Sequence, residues 1–199
     1  MEVKTIVTKQ MDQNCYLIYE GVKGILIDPG LDTLKILKET EGIEINYILL
    51  THCHFDHVHS VNELRKGKIC VSSKKCSDNV MSLNISLLSP ETVLKAPCEM
   101  ILEDGEEKDF DGIKVKCIHT TGHTNGSVCY LIGDKIFTGD TLFYRSIGRT
   151  DLPTGSFSEI ESSIKNKIYT LDENIKVYPG HGPCTTIGFE KKNNGYITE

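Results

Sequence analysis

The sequence predicts an α/β (α+β) fold of the four-layer αβ/βα type, in which two β-sheets pack face to face and helices cover their outer faces. The order of the elements supports this prediction, since short strands followed by a helix occur twice along the 199 residues. The composition supports it as well, because 39% hydrophobic and 25% charged residues are typical of a globular protein. This length suits a single domain spanning residues 1–199.

The first half of the chain begins with short runs rich in Val, Ile and Tyr, which are typical of strands. Strands are predicted at residues 3–7, 15–19, 24–27 and 43–50. Between the third and fourth strands we expect a helix, with Asp32 as its N-cap and Gly42 as its stop. A second helix is expected from about Asp56 to a point before Gly67.

The second half repeats this order. Strands are predicted at residues 100–102, 106–110, 113–118, 127–132, 135–138 and 175–178. Turn pairs join several of them, namely Asp104-Gly105, Asp111-Gly112 and Gly133-Asp134. A helix is predicted at 158–171, where three isoleucines recur on one face: Ile160, Ile164 and Ile168. Ser158 and Glu161 are expected to form its capping box.

The composition excludes several classes of function. A net charge of −6 gives no overall attraction to nucleic acid or to an anionic membrane. No run approaches the roughly 18–20 apolar residues of a membrane span, and the start lacks the apolar core of a secretion signal, so we expect a cytoplasmic protein.

The eight cysteines include no Cys-x-x-Cys pair and are expected to be reduced and mostly buried. The tail at 191–195 is expected to be a solvated end.

The histidines indicate the function. Of the seven in the chain, four fall within eight residues, at positions 52, 54, 57 and 59. If the chain stays extended after the strand, His52 and His54 point the same way and Cys53 points away. Asp56 and His57 then face a second point, so one short segment can supply two ligands to each of two neighbouring metal ions. Imidazole and carboxylate ligands without thiolates suit zinc, iron or manganese.

Three further ligand candidates follow predicted strands. His123 comes after the strand at 113–118, Asp140 after that at 135–138, and His181 after that at 175–178. Glycines beside them permit tight turns and a close approach of the backbone to the site. Groups mounted on loops at one edge of a rigid sheet are a common arrangement for a functional site.

These motifs, in this order, resemble the metallo-β-lactamase superfamily over nearly the whole chain. They are His52-x-His54-x-Asp56-His57, Gly-His123-Thr, Gly-Asp140-Thr and Pro-Gly-His181-Gly, with Asn14-Cys15-Tyr16 and Asp28-Pro29-Gly30 before them. The resemblance implies the metallo-β-lactamase fold and two divalent metal ions, with zinc expected and iron or manganese as alternatives. It assigns His52, His54 and His123 to the first ion. It assigns Asp56, His57 and His181 to the second, with Asp140 bridging the two.

Within that superfamily, the chain resembles the short glyoxalase II-like (hydroxyacylglutathione hydrolase-like) enzymes of bacteria. Asp140 stands where true β-lactamases often have Cys, and the stretch 148–155, Gly-Arg-Thr-Asp-Leu-Pro-Thr-Gly, is similar to theirs. Full-length glyoxalase II continues into a helical domain that helps to bind glutathione, whereas this sequence ends at Glu199 without one. His59 stands where these proteins usually have a small residue.

The residues also suggest a mechanism and a substrate. Two cations would supply a hydroxide at neutral pH, and Asp56 is expected to orient it and relay its proton. No general acid stands out, which favours a thioester, because a leaving thiolate needs little protonation. Arg145 and Arg149 are expected to flank the site, so one of them is expected to bind an acidic group of a small-molecule substrate, and Tyr144 to add a wall or a hydroxyl donor.

Several alternatives stay open at this point. The same chemistry would serve a lactonase or another esterase, and an iron-dependent persulfide dioxygenase shares the fold and a Gly-Arg-x-Asp loop. The acidic balance argues against hydrolysis of RNA or DNA, and the complete ligand set against a non-catalytic module. Arg149 and Asp151 are equally compatible with an ion pair that only holds their loop. Asp28 is either a turn residue or the partner of a ligand histidine.

Overall fold

Two six-stranded sheets form the centre of the computed structural model, which describes residues 1–9, 11–79 and 94–198. The first sheet contains, in spatial order, β1 (Glu2–Val7), β2 (Asn14–Glu20), β3 (Lys23–Ile27), β4 (Glu44–Leu49), β5 (Ile69–Ser72) and β6 (Met100–Ile101). β1, β2 and β3 pair antiparallel, and β3 to β6 pair parallel.

The second sheet is built from the later strands. They are β7 (Glu107–Phe110), β8 (Ile113–His119), β9 (Val128–Ile132), β10 (Lys135–Gly139), β13 (Lys176–Pro179) and β14 (Thr185–Thr186), in the spatial order β14-β13-β10-β9-β8-β7. A small hairpin of β11 (Leu142–Phe143) and β12 (Ser146–Ile147) leaves this sheet directly after β10.

The helices lie outside the sheets. They are α1 (Thr33–Glu39), α2 (Phe55–Val58), α3 (Val61–Leu64), α4 (Lys74–Asn79), α5 (Phe157–Ser163), which continues as a π-helical turn at Ile164–Ile168, and α6 (Ile187–Asn193). In the described part of the chain, no helix combines the length and the apolar character needed to span a membrane.

The side chains of β2 show how the layers arise. Tyr16 and Ile18 point between the sheets and pack with Phe137 of the second sheet. Cys15 and Leu17 point to the other face of the sheet, where helices α1 to α4 pack. The period of two along a strand therefore sends alternate residues to two different cores. The four-layer αβ/βα architecture predicted from the sequence is confirmed.

The second outer layer depends on the predicted isoleucine stripe. Ile160, Ile164 and Ile168 are fully buried and pack on Ile136 and Cys129 of the second sheet. At about 25 cal/mol per Å² of apolar surface, a fully buried Ile contributes about 1.5–3 kcal/mol before entropy is counted. The stripe thus explains why this helix lies on this face.

That helix begins at Phe157, within one residue of its predicted start, but its predicted capping box is wrong. Ser156, rather than Ser158, is the N-cap, and its side chain accepts a hydrogen bond from the backbone N–H of Glu159. The sequence offers two serines two residues apart, and the one with an extended backbone takes the capping role.

Two other predictions need correction. The helix expected from Asp56 to before Gly67 is two short helices, because Ser60 interrupts it and donates its N–H to the carbonyls of Pro29 and Gly30. The tail expected to be a solvated end is in part the end of α6, and Asn194 is buried behind it.

All eight cysteines are free, and all but the half-buried Cys184 are buried, as expected.

Candidate metal centre

The seven predicted ligands lie together at one edge of the two sheets. His52 and His54 follow β4, Asp56 and His57 lie in α2, and His123, Asp140 and His181 follow β8, β10 and β13. β10 and β13 are parallel neighbours, so the turns after them meet. The backbone N–H of Gly180 donates to the carbonyl of Gly139 and joins these two turns directly.

The first group consists of His52, His54 and His123, each of which offers a ring nitrogen within 4.8 Å of the others. All three are buried. Nε2 of His123 lies 2.8 Å from Nδ1 of His54, and Nδ1 of His123 is 2.8 Å from the carbonyl oxygen of Arg149. Because that carbonyl accepts the Nδ1 proton, Nε2 of His123 presents a lone pair on the side of His54, where a cation could bind both rings.

The second group consists of Asp56, His57 and His181, again within 4.8 Å. Nε2 of His181 is 3.1 Å from Oδ2 of Asp56 and 3.4 Å from Nε2 of His57. Nδ1 of His181 donates to the backbone carbonyl of Met11 at 3.1 Å, which turns Nε2 towards the centre. The β1–β2 turn therefore orients a histidine that lies 170 residues away in the sequence.

Asp140 lies between the two groups. Its Oδ1 is 3.3 Å from Nε2 of His57, and its Oδ2 is 3.6 Å from Nε2 of His123 and 3.7 Å from Nε2 of His181. One carboxylate therefore faces histidines of both groups, which is the position that a bridging ligand requires.

Asp28 bonds His57 at Nδ1, the ring nitrogen that faces away from the other candidate ligands. Its Oδ2 accepts from Nδ1 of His57 at 2.9 Å, and its Oδ1 accepts from the backbone N–H of Thr51 at 2.7 Å. The hydroxyl of Thr51 also donates to Asp28 and contacts Nδ1 of His52 at 3.1 Å. Asp28, His52 and His57 also form a close group, but the oxygens of Asp28 already accept these bonds. The structure thus favours Asp28 as the partner of a histidine.

Burial and charge give these residues distinct protonation preferences. Burial lowers the pKa of His52 well below its ordinary value and lowers the pKa of His54 to about 4. Burial alone would lower the pKa of His57 too, but the charges of Asp140 and Asp56 raise it well above the ordinary value. His52 and His54 are therefore neutral at pH 7, as metal ligands must be, and His57 lies where negative charge accumulates.

The residues present fit divalent cations. Nε2 of His52 and Oδ1 of Asp140 are buried without a hydrogen-bond partner, a costly arrangement that a bound cation would relieve. Within the described part of the chain, the ion-pair partners of Asp28, Asp56 and Asp140 are all histidines. Imidazole and carboxylate donors are those of zinc, iron and manganese sites.

Gly180 shows how tightly the backbone surrounds the centre. A Cβ at this position would lie 2.2 Å from Oδ1 of Asp140 and 2.7 Å from Cε1 of His57. Such distances are far below van der Waals contact, so only glycine lets the turn after β13 approach the carboxylate. This requirement explains the glycine before His181.

The predicted substrate residues lie on the segment after Asp140. Arg149 forms a bidentate ion pair with Asp151, in which two guanidinium nitrogens each lie 2.7 Å from a carboxylate oxygen. Both side chains are exposed. The pairing lowers the pKa of Asp151 to about 2. The structure thus shows the loop-holding ion pair that the sequence left open, and it leaves a substrate contact for Arg149 as a proposal.

Tyr144 and Arg145 occupy the turn of the β11–β12 hairpin. The ring of Tyr144 stacks on Phe189 with centroids 5.3 Å apart. Arg145 has a left-handed backbone, with a φ of 56°, and its N–H donates to Oε2 of Glu190. The buried carboxylate of Glu190 also accepts from Thr185 and Asn194, so α6 holds the turn.

Several contributors to the site carry no clear signal in the sequence, for different reasons. The carbonyl of Met11 carries no side-chain signal. Thr51 was visible beside His52, but a threonine at a strand end is common. Glu190 lies in a charged tail, and only the fold shows that it is buried.

Comparisons with known proteins agree with the geometry. Residues 9–181 match the sequence profile described as "Metallo-beta-lactamase superfamily". The chain is 33% identical to "Hydroxyacylglutathione hydrolase GloC" of Haemophilus influenzae, over 99% of this chain and 98% of that protein. The solved structure of "BLEG-1 B3 metallo-beta-lactamase" has a TM-score of 0.92 at 32% identity over all of both chains. "TTHA1623 in a di-iron-bound form" has a TM-score of 0.85 at 31% identity, over 98% of this chain and all of that one.

Proposed function

Since the chain belongs to the metallo-β-lactamase superfamily and is a metallo-hydrolase of that group, we propose that it hydrolyses acyl thioesters at a dinuclear metal centre. The single observation that carries the proposal is the convergence of two groups, one of three histidines and one of two histidines and an aspartate, on Asp140 at one edge of the sheets. Each group supplies three side chains, as a pair of adjacent metal ions would need.

We assign the ligands as the contacts suggest. His52, His54 and His123 would hold one ion, Asp56, His57 and His181 the other, and Asp140 would bridge them. When bound, two divalent cations supply Lewis acidity and make a water molecule acidic enough to ionise near neutral pH. The related structure described as di-iron-bound supports iron as an alternative to zinc.

The side chains around the centre would accept the proton of the attacking water and orient the ligand histidines. Asp56 is the proposed catalytic residue, since its carboxylate, beside His181, can orient the attacking water and accept its proton. Asp28 keeps the Nδ1 proton on His57, so that Nε2 stays available as a ligand. The carbonyl of Arg149 does the same for His123.

The leaving group favours a thioester. The carboxylates Asp28, Asp56 and Asp140 have only histidine ion-pair partners among the described residues, so no lysine is paired there as a general acid. A thiol has an unperturbed pKa of about 8.5 and leaves as a thiolate with little assistance, whereas an amine must be protonated. The relative named as a hydroxyacylglutathione hydrolase supports the same choice.

Arginines near the centre support a substrate with an acidic group. The carbonyl of Arg149 contacts His123, so the side chain of Arg149 begins beside the group formed by His52, His54 and His123. Arg145 lies on the neighbouring turn, where its backbone N–H bonds Glu190. Arginine binds a carboxylate with two parallel hydrogen bonds. We propose that a substrate carboxylate competes with Asp151 for Arg149, and that Tyr144 lines the same side.

The test is hydrolysis of S-lactoylglutathione by the metal-loaded protein, followed as loss of thioester absorbance. Turnover should fall by at least about 100-fold in Asp140→Ala, because its carboxylate faces both groups. Asp172→Asn, an exposed carboxylate, should retain full activity. Absence of turnover in a protein that carries two metal ions would reject glutathione thioesters.

The same assay separates the other chemistries. A lactone and a β-lactam are offered in parallel, because both contain a carbonyl that the centre could attack. A persulfide is offered with an oxygen electrode, since a dioxygenase consumes oxygen and a hydrolase does not. Faster turnover of any of these than of the thioester would replace the proposed substrate class.

A further inference from the structure

Two cysteines outside the metal centre lie in direct contact. Sγ of Cys70, in β5, is 3.1 Å from Sγ of Cys98, which lies 28 residues later and just before β6. A disulfide has an S–S distance of about 2.05 Å, so the sulfurs need to move by only about 1 Å to form one. Within the described ranges, which include all eight cysteines, no other two thiols have such a contact.

The pair does not belong to a metal site. The groups of His, Cys, Asp and Glu that converge within 4.8 Å in the described residues contain no cysteine. Cys76 packs in the same core as Cys70 and Cys98, but it does not join them in a ligand set. Two thiols alone are better suited to a covalent bond with each other than to a cation.

The backbone around the two thiols is fixed. The side chain of Arg65 donates to the carbonyls of Ala96 and Pro97 and pairs with Glu99. Glu99 in turn accepts the backbone N–H of Cys70 at 2.8 Å. The segment that carries Cys98 is therefore tied to the strand that carries Cys70, and the sulfurs are held face to face.

The two thiols differ in their exposure and in the groups that surround them. The contact with Cys70, together with the hydroxyls of Ser72 and Ser77, lowers the pKa of Cys98 below the ordinary value of a thiol, although burial acts in the opposite direction. The same contact raises the pKa of Cys70. Cys98 is 7% exposed, whereas Cys70 is fully buried. Cys98 thus has the features of the attacking thiol, and Cys70 those of the resolving one.

We propose that Cys70 and Cys98 are a peroxide-oxidised pair that closes to an intramolecular disulfide. The thiolate of Cys98 attacks one oxygen of hydrogen peroxide, the O–O bond breaks, and hydroxide leaves, which gives a sulfenic acid. The sulfur of Cys70 then attacks Sγ of Cys98, loses its proton, and displaces the oxygen as water. In total, two thiols and one peroxide give one disulfide and two waters.

The sequence permits an unambiguous test, because trypsin places the three neighbouring cysteines on separate peptides. Cys70 lies in 69–74, Cys76 in 76–95 and Cys98 in 96–108. The folded protein is treated with peroxide, blocked with iodoacetamide, digested without reductant and analysed by mass spectrometry. We expect 69–74 linked to 96–108, released by dithiothreitol, with two of the eight thiols lost. A link to 76–95, or no link, would overturn the proposal.

Substitutions test the order of the two steps. In Cys98→Ser, Cys70 should stay reduced under peroxide, whereas Cys117→Ser, a buried cysteine of the second sheet, should form the link as the parent does. In Cys70→Ser, Cys98 should stop at the sulfenic acid, which dimedone traps. Oxidation of Cys70 at an unchanged rate in Cys98→Ser, or no dimedone adduct on 96–108 in Cys70→Ser, would refute the assignment. No activity is measured, so the result is independent of the proposed hydrolase function.

Discussion

Replacing Asp28 by Asn tests how the centre is held from behind. Asp28 accepts hydrogen bonds from the backbone N–H of Thr51 at 2.7 Å and from Nδ1 of His57 at 2.9 Å. If the amide oxygen of Asn keeps the bond to Thr51, its NH₂ group faces Nδ1 of His57. His57 must then move its proton to Nε2, the nitrogen that we assign to the metal.

The expected loss follows from that one contact. A hydrogen bond to a charged group contributes about 1.5–3 kcal/mol, and loss of such an outer partner weakens metal binding about 10–100-fold, or about 1.4–2.7 kcal/mol. The loss should fall mainly on the ion assigned to His57, which bonds Asp28 directly, and be smaller for the other ion, whose ligand His52 is linked to Asp28 only through the hydroxyl of Thr51. Two metal ions should still bind at saturating concentration.

The assay is competition between the metal-free protein and a chromophoric chelator, with metal content determined by plasma mass spectrometry. Asp172→Asn, which changes an exposed carboxylate far from these contacts, is the matched control. Unchanged affinity for both ions in folded Asp28→Asn would refute the partner role. A fall to one ion at saturation would also refute it and would make Asp28 itself a ligand.

Three further perturbations follow from the same geometry. Gly180→Ala should reduce kcat/KM by at least about 100-fold in steady-state kinetics, because the Cβ of the alanine would lie 2.2 Å from Oδ1 of Asp140. An unchanged kcat/KM would show that the turn after β13 can move to accept the Cβ. Arg149→Ala should raise KM about tenfold for a thioester that bears a carboxylate and leave a neutral thioester unchanged, and equal changes for both would remove Arg149 from substrate binding. Chelation should lower the thermal midpoint by about 5–10 °C in calorimetry, since the buried carboxylates lose their counter-ions, and an unchanged midpoint would speak against bound cations.

The fold was predictable where the sequence has a clear period. Runs rich in Val, Ile and Tyr, followed by a helix twice along the chain, indicated two sheets with helices outside, and the isoleucine stripe of α5 indicated which face of that helix is buried. The short strand β5 was missed, since four residues contain too little alternation to identify a strand. α6 was missed for another reason. Its buried Glu190 is satisfied by groups from the β11–β12 turn and from Thr185, contacts that only the tertiary structure creates.

The grouping of the candidate ligands was predictable to the level of residue type and order. Most ligand candidates followed strands, and the structure places all seven close together, but the partners that orient them could not be predicted from the sequence. Two of those partners are backbone carbonyls, of Met11 and Arg149, which no side-chain pattern reveals. The Arg149–Asp151 pair was one of two equal possibilities, because a sequence does not show whether an arginine faces a neighbour or a ligand.

The most direct test of the proposed function is to titrate metal-free protein with zinc and, separately, with ferrous iron, while measuring thioester hydrolysis. Two groups of ligands joined by Asp140 predict that activity rises to its maximum only as the second equivalent binds. Asp140→Ala should show no such maximum. Full activity at one equivalent, or hydrolysis that does not depend on added metal, would contradict a dinuclear thioesterase.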